Sequence, residues 1–407
     1  MIVPLLRGRA GLDIEVLSFA ETITVEDLDS DPYPIYARLR AEQPVAWVPA
    51  VNCWLVTRQK DVEFVTKRSE LFTAEAPDAP VDRSFGGRTL MTMDGPEHLE
   101  LRRTLDEKFR PKKVAEYIDD LVTPIAEEYV ARVLAKGDRH AELVVEYFEP
   151  ISVLALARVL GLGHMSAERL QDWFRGLSQG ATNFENDPEK AAANDAAAAD
   201  IDAELRPLMQ RWQTEPDDSA IAAMVTHGCP VGSFRQIEYL LPSIKVILLG
   251  GMQEPGHGAA SCLAALLMHP DQMQYVREHP EKWDDVVNEA LRWMAPIGTM
   301  QATAVEDVEL GGVVIPKGDL VSAVVSSACH DESVFEDPAR FDIHRPRQGN
   351  AAFGFGAHFC AGHQFARDLE RISLQTIVDA MPTMELTAPV SFFGWEFRAP
   401  TALHVRW

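Results

Sequence analysis

Cys360 carries the sharpest chemical signal in this sequence. It lies in FGFGAHFCAGHQFAR, residues 353–367. Gly354 and Gly356 permit a tight turn with positive φ, and the pattern puts Cys360 at the start of a helix running to about Ala380. There, unpaired N–H groups and the positive end of the helix dipole favour a thiolate, a strong metal ligand. Gly362 lets a flat ligand approach the backbone closely. A lone cysteine after a glycine turn is by itself more often a packed core residue; the pattern around it reverses that judgement.

Other chemistry-bearing residues stand at helical spacings. Glu289 and Arg292 are three apart, and His98 and Arg102 four apart, so each pair shares a helix face. Glu254 sits between Gly251 on one side and Pro255 and His257 on the other, in GGMQEPGHG, residues 250–258. A carboxylate in such apolar surroundings has a raised pKa and is suited to carrying protons. Lys108, Arg110, Lys112 and Lys113 form a basic cluster.

The elements that must position these groups are mostly helical. The stretch from about Pro96 to Gly137 has apolar residues at helical spacing. An apolar helix runs from Tyr239 to about Met268 with a break at residues 250–258, and another covers Trp283 to Met294. Residues 186–200 read as a lid-like loop running into an Ala-rich helix. "PVAWV" and "CWLVT" read as two short strands, and VELGGVVIPKGDLVSAVV as a hairpin about Gly311–Gly312 with a further strand behind it. The fold class is mainly α with small β-sheets (α+β), and with no linker or repeat the expectation is one domain over residues 1–407.

Composition narrows the function. Thirty-eight basic against 62 acidic residues give a net charge of −24, which disfavours nucleic acid and anionic membranes as partners. No apolar run reaches the ~18 residues that span a bilayer, and the N-terminus does not read as a signal peptide. The five cysteines form no CxxC pair, so a reducing cytoplasm is expected.

Phe353, Gly354, Gly356, His358, Cys360 and Gly362 together resemble the haem-binding loop of the cytochrome P450 family. Glu289–Arg292 resembles its Glu-x-x-Arg motif, and Phe335, Asp337, Pro338, Arg340 and Phe341 resemble the loop that follows, which implies Arg340 as third member of a structural network. The resemblance implies Cys360 as axial ligand of haem b, buried between the central long helix and the cysteine-loop helix, with His98, Arg102 and His358 toward its propionates. It also implies O2 as co-substrate and electrons from NADH through a separate flavin and iron–sulfur reductase, for which the basic cluster is a docking candidate. Two departures stand out: residues 299–305 hold no arginine, and Asn350 stands where a histidine is common. The family's central helix carries an (Ala/Gly)-Gly-x-(Asp/Glu)-Thr pattern for oxygen activation. Here Glu254 aligns with the acid and Pro255 with the threonine, the alternative register putting Glu254 at the threonine position.

The segments LLGGMQEPGHGAAS, YIDDLVTPIAEEYVARVL and FFGWEFRAPTALHVRW resemble bacterial guaiacol-type aromatic O-demethylases. That implies a small aromatic substrate caged by Phe85 and Phe397, with Ala181 where those enzymes have a third phenylalanine, and with Ile297 and Val246 lining the pocket. The smaller Ala181 implies room for a 4-alkyl group. Two alternatives remain open: a hydroxylase or demethylase of another small aromatic or terpenoid, and a peroxide-using haem-thiolate enzyme.

Overall fold

The computed structural model of the chain describes residues 18–76 and 80–407; the stretch weighed as a leader lies outside them, apart from its last residues. Ten helices position the site: α1 (Pro80–Phe85), α2 (Gly95–Phe109), α3 (Pro111–Leu134), α4 (Glu149–Leu160), α5 (Ala167–Ala181), α6 (Pro188–Trp212), α7 (Ile237–Met252), α8 (Glu254–Met268), α9 (Trp283–Trp293) and α10 (His363–Ala380). In α2, His98, Leu101, Leu105 and Phe109 are buried along one stripe, and Phe109 meets Phe365 of α10 edge-on at 5.8 Å. The α3 stripe of Val114, Ile118, Val122, Ile125 and Tyr129 belongs to the same core as Phe365, Leu369 and Ile372 of α10. α7 and α8 run through the centre of this core and are buried almost all round.

A five-stranded sheet flanks the helices. In chain order its strands are β1 (Val45–Val48), β2 (Cys53–Val56), β3 (Phe72–Thr73), β4 (Met300–Ala304) and, after the hairpin of β5 (Val308–Leu310) and β6 (Val313–Ile315), β7 (Leu320–Ala323). The order across the sheet is β1-β2-β7-β4-β3, with β2 and β7 parallel and the other pairs antiparallel. The two strands expected around PAVN pair Val45 with Val56 and Val48 with Cys53. Gly311 and Gly312 both have positive φ, 61° and 88°, as a two-residue hairpin turn demands.

Residues 186–200 depart from expectation. Asp187 caps a helix that begins at Pro188, so nearly the whole stretch is helical rather than a lid. The break in the central helix is also shorter than its glycine content suggests. Only Gln253 separates α7 from α8, and its φ of −83° and ψ of −56° are themselves helical.

Candidate active site

The cysteine loop is built by close approach. Gly354 and Gly356 have φ of 70° and 72°; a Cβ on the first would collide with Met300 of β4, and one on the second with the Thr66 carbonyl. The Cys360 amide donates to the Phe353 carbonyl at 3.0 Å, closing the loop on itself. α10 starts at His363, not at the cysteine, so Cys360 stands three residues ahead of the helix. Burial pushes its thiol up, partly offset by the Gly362 amide and the Arg102 charge. Burial thus outweighs the amide at the helix start, so the expected thiolate bias is absent from the protein alone; a coordinated metal deprotonates a thiol outright.

Arg102 donates to the Phe359 carbonyl and lies within electrostatic reach of Cys360. One turn earlier, His98 stacks on His358 at 4.3 Å. His358 Nε2 faces Asp94 Oδ1 at 3.0 Å. Burial alone would raise the Asp94 carboxyl, but hydrogen bonds from His358, Thr73 and the Ala74 amide bring it to about 2. His98 is pulled down to about 4 by burial and by the His358 and Arg102 charges. Its Nε2 is buried without a hydrogen-bond partner. Three of the sequence candidates thus converge beside the cysteine, and Asp94, which sequence reasoning missed, holds one of them, His358.

Glu289 and Arg292 form the expected buried pair, with Nε–Oε2 and Nη2–Oε1 both at 2.8 Å. The third member differs from expectation. Arg345 Nε lies 3.4 Å from Glu289 Oε1, whereas the Arg340 side chain is exposed and pairs with Asp342. Arg340 contributes only its carbonyl, which accepts from Arg292 at 3.0 Å. Asp337 has φ of 45°, and the loop beyond it carries Arg345 back over Glu289.

On the central helices, Glu254 is 9% exposed, and neither carboxyl oxygen has a hydrogen-bond partner. Burial pushes it well above the ordinary carboxylate range. It lies within electrostatic reach of Cys360. The glycine beside it is Gly250: a Cβ there would sit 3.7 Å from Glu254 Oε2, whereas one on Gly251 would meet Leu156 of α4 at 2.7 Å. Gly251 therefore faces α4 rather than the acid. Gly250 and Glu254, four apart, share the face instead, which matches the register with Glu254 at the threonine position. Pro255 has no N–H, so the Gly251 carbonyl receives no helical donor from position 255.

A family model for cytochrome P450 matches residues 249–380. Putative cytochrome P450 YjiB of Bacillus subtilis is 28% identical over 87% of this chain and 88% of its own length. Nocardicin C N-oxygenase of Nocardia uniformis subsp. tsuyamanensis is 30% identical over 93% of this chain and 96% of its own length. The chain belongs to the cytochrome P450 family. The solved structure of the P450 enzyme CYP109B1 from Bacillus subtilis aligns with a TM-score of 0.78 at 26% identity, covering 93% of this chain and all of that one.

P450s of this family use haem b and O2, with electrons that in bacterial members typically come from NAD(P)H through redox partners. The residues present fit that group. His98 Nε2 is a buried polar atom awaiting a partner, a Cβ on Gly362 would meet nothing within 4 Å, and Arg102 and Glu254 both reach the field of Cys360. Phe353 supports the loop from behind, with the Arg367 guanidinium 4.9 Å over its ring. Asn350, in place of the family's histidine, bonds to Asn288 and to the Ala352 amide. Between them, the expected propionate anchors on this side are His98, Arg102 and His358.

The pocket candidates fall into two groups. Ile297 and Phe397 form an isolated antiparallel bridge. Both are half-buried between fully buried neighbours, and Val246 on α7 is also half-buried. Phe85 and Ala181 are buried in the main core. α1 nevertheless reaches the end of α5, because a Cβ on Gly180 would lie 2.7 Å from Ser84 Oγ. Of the basic cluster, Lys108 pairs with Asp218, Arg110 with Asp106 and Lys113 with Glu116, leaving Lys112 without an ion pair among the described residues. No helix among them is long and apolar enough to cross a membrane.

Proposed function

We propose that this P450 is a single-domain haem-thiolate monooxygenase that O-demethylates a guaiacol-type methoxyphenol, 4-alkylguaiacols included. The overall change is ArOCH3 + O2 + NADH + H+ giving ArOH, formaldehyde, water and NAD+, with electrons delivered through a separate flavin and iron–sulfur reductase. Haem held by Cys360 would supply the oxidant that inserts oxygen into the methyl C–H bond. The chain's own residues position the ring, exclude water and hold a proton at the Glu254 carboxyl. His98, Arg102 and His358 would hold the propionates.

What supports the substrate class is that the cations next to two of the proposed pocket residues are committed elsewhere. Ile297 and Phe397 are bridged. Arg398, next to Phe397, gives its guanidinium to the carbonyls of Asp29, Ser30 and Gly394. Lys245, next to Val246, pairs with Asp202 at 2.7 Å. With these two cations committed, a neutral phenol ether is favoured over a carboxylate. The acidic charge and five unpaired cysteines support a cytoplasmic enzyme without stable membrane association.

The test is a substrate-binding difference spectrum against guaiacol, 4-alkylguaiacols, syringol and 4-methoxybenzoate. Low- to high-spin conversion is expected with the neutral methoxyphenols and weaker with the benzoate. No response to any methoxyphenol removes this substrate class and leaves the family assignment standing. A terpenoid or other small aromatic giving the shift would then identify the alternative. A peroxide-using reading draws on the absence of an alcohol at positions 254 and 255; product formed with hydrogen peroxide but not with NADH and reductase would establish it.

A further inference from the structure

Glu149, at the start of α4, is a buried carboxylate with every acceptor engaged. Its Oε1 faces His257 Nε2 at 3.2 Å, and its Oε2 accepts from Gln171 Nε2 at 2.8 Å and Arg175 Nη2 at 2.6 Å. Burial alone would raise this carboxyl, but the hydrogen bond and charge of His257, with Arg175 and Gln171, hold it below the ordinary range. A carboxylate only accepts, so His257 Nε2 is the nitrogen that carries the proton. The other ring nitrogen, Nδ1, is then free to exchange a proton.

The position of this ring gives the pair a use. His257 is three residues beyond Glu254 on α8, a helical neighbour, and Glu254 has two buried oxygens with no partner. Phe174 sits edge-on to the imidazole at 6.2 Å and limits its movement. The His257 side chain keeps 13% exposure, and the chain of contacts continues through Glu149 to Arg175, which is 45% exposed. Buried polar clusters between a central helix and the surface are costly unless fully satisfied; the Glu149 acceptors are all engaged, while the Glu254 oxygens, one helical step away, are not.

We propose that His257, held by Glu149, recharges Glu254 with a proton after each oxygen-activation cycle. Glu254 gives up its carboxyl proton toward the distal pocket. The His257 imidazolium then passes its Nδ1 proton to the Glu254 carboxylate, directly or through one water molecule. Neutral His257 regains a proton at Nδ1 from solvent, while the Nε2 proton stays in the bond to Glu149. No electrons move and the proton count closes. Glu149 is a positioning residue that sets the tautomer, as a carboxylate does for a general-base histidine.

The inference rests on the family assignment and on Glu254 as the proton carrier, not on the methoxyphenol; lost coupling in Glu254→Gln with wild-type coupling in His257→Gln would sink the relay alone. It is tested with the haem-loaded protein, its reductase, and whichever compound gives a spin shift. In the diamagnetic carbon-monoxide complex, 15N NMR of labelled histidines should find His257 protonated at Nε2; a neutral ring protonated at Nδ1 overturns the proposal without any variant. His257→Gln should keep the substrate shift and the carbon-monoxide spectrum. It should lower product per NADH by roughly 10- to 100-fold, toward the contribution of a positioned proton donor, and raise hydrogen peroxide release and the solvent deuterium isotope effect. Glu149→Gln should mix the His257 tautomers and lower coupling by a smaller factor. Wild-type coupling and isotope effect in His257→Gln would sink the idea.

Discussion

Two arginines five positions apart have opposite importance. The guanidinium of Arg292 is spent on Glu289 and on the carbonyls of Cys329, Pro338 and Arg340. Arg345 adds bonds to the Asp337 and Arg340 carbonyls beside its contact with Glu289. These side chains staple the 336–342 loop against α9, behind the cysteine loop. Arg345→Ala should therefore cost about 1.5–3 kcal/mol, the range for hydrogen bonds to a charged partner. Arg340→Ala should stay within about 0.5 kcal/mol, as for an exposed side chain. Urea melts of the two variants decide between them, and equal losses would contradict the assignment of Arg345. At the same scale, Glu254→Gln should leave the substrate-induced spin shift intact and lower product formed per NADH. Unchanged coupling would remove Glu254 as the proton carrier.

Helices α7 and α8 meet at Gln253 with their hydrogen-bond ladder almost intact. The Gln253 amide reaches the Leu249 carbonyl at 3.2 Å, and the His257 amide reaches Gln253 at 3.1 Å. Pro255 interrupts only one rung. As a first-turn residue of α8 it costs little, so its consequence is the Gly251 carbonyl left for another donor. Pro255→Thr should restore that rung and change the coupling of NADH to product; unchanged coupling would count against a role for the carbonyl. Further along, Gly258 makes room for α10: a Cβ there would lie 2.7 Å from Glu370 Oε1. Glu370 is 1% exposed, and burial pushes it well above its usual 4.5, with only the Arg367 charge opposing. The folded state then binds more protons than the unfolded one once pH passes 4.5, so this group lowers stability as pH rises. Glu370→Gln removes that slope. Denaturant melts should show the variant gaining on the wild type as pH rises above 4.5, at up to about 1.4 kcal/mol per pH unit. A constant difference would mean that Glu370 ionises normally.

Across the whole molecule, a net charge of −24 makes any basic surface conspicuous. α2 links Arg102, bonded to Phe359 beside the cysteine, to the Lys108–Lys113 cluster at its far end. Acidic neighbours pair with three of those four cations, so Lys112 is the one without an ion pair among the described residues, and we propose it as a contact for an acidic reductase. Lys112→Glu should raise the reductase concentration needed for half-maximal turnover several-fold at low salt, converge with the wild type as salt screens the contact, and leave substrate binding unchanged. An effect independent of ionic strength would place the docking face elsewhere.

The cysteine loop, the Glu289–Arg292 pair and the Gly311–Gly312 hairpin were legible in the amino-acid order. Each is set within a few residues, by positive-φ demands or by the 3.6-residue helical period. The distinction between Arg340 and Arg345 was not legible, because both lie in an unperiodic loop whose path is set by distant carbonyls. Gly250 and Gly251 are identical in composition, and only the packing of Leu156 shows which of them faces Glu254. Glu149 and His257 are 108 residues apart and share no motif. Their pairing exists because α4 crosses α8, and contacts between sequence-distant elements are decided by how helices pack and not by local propensity.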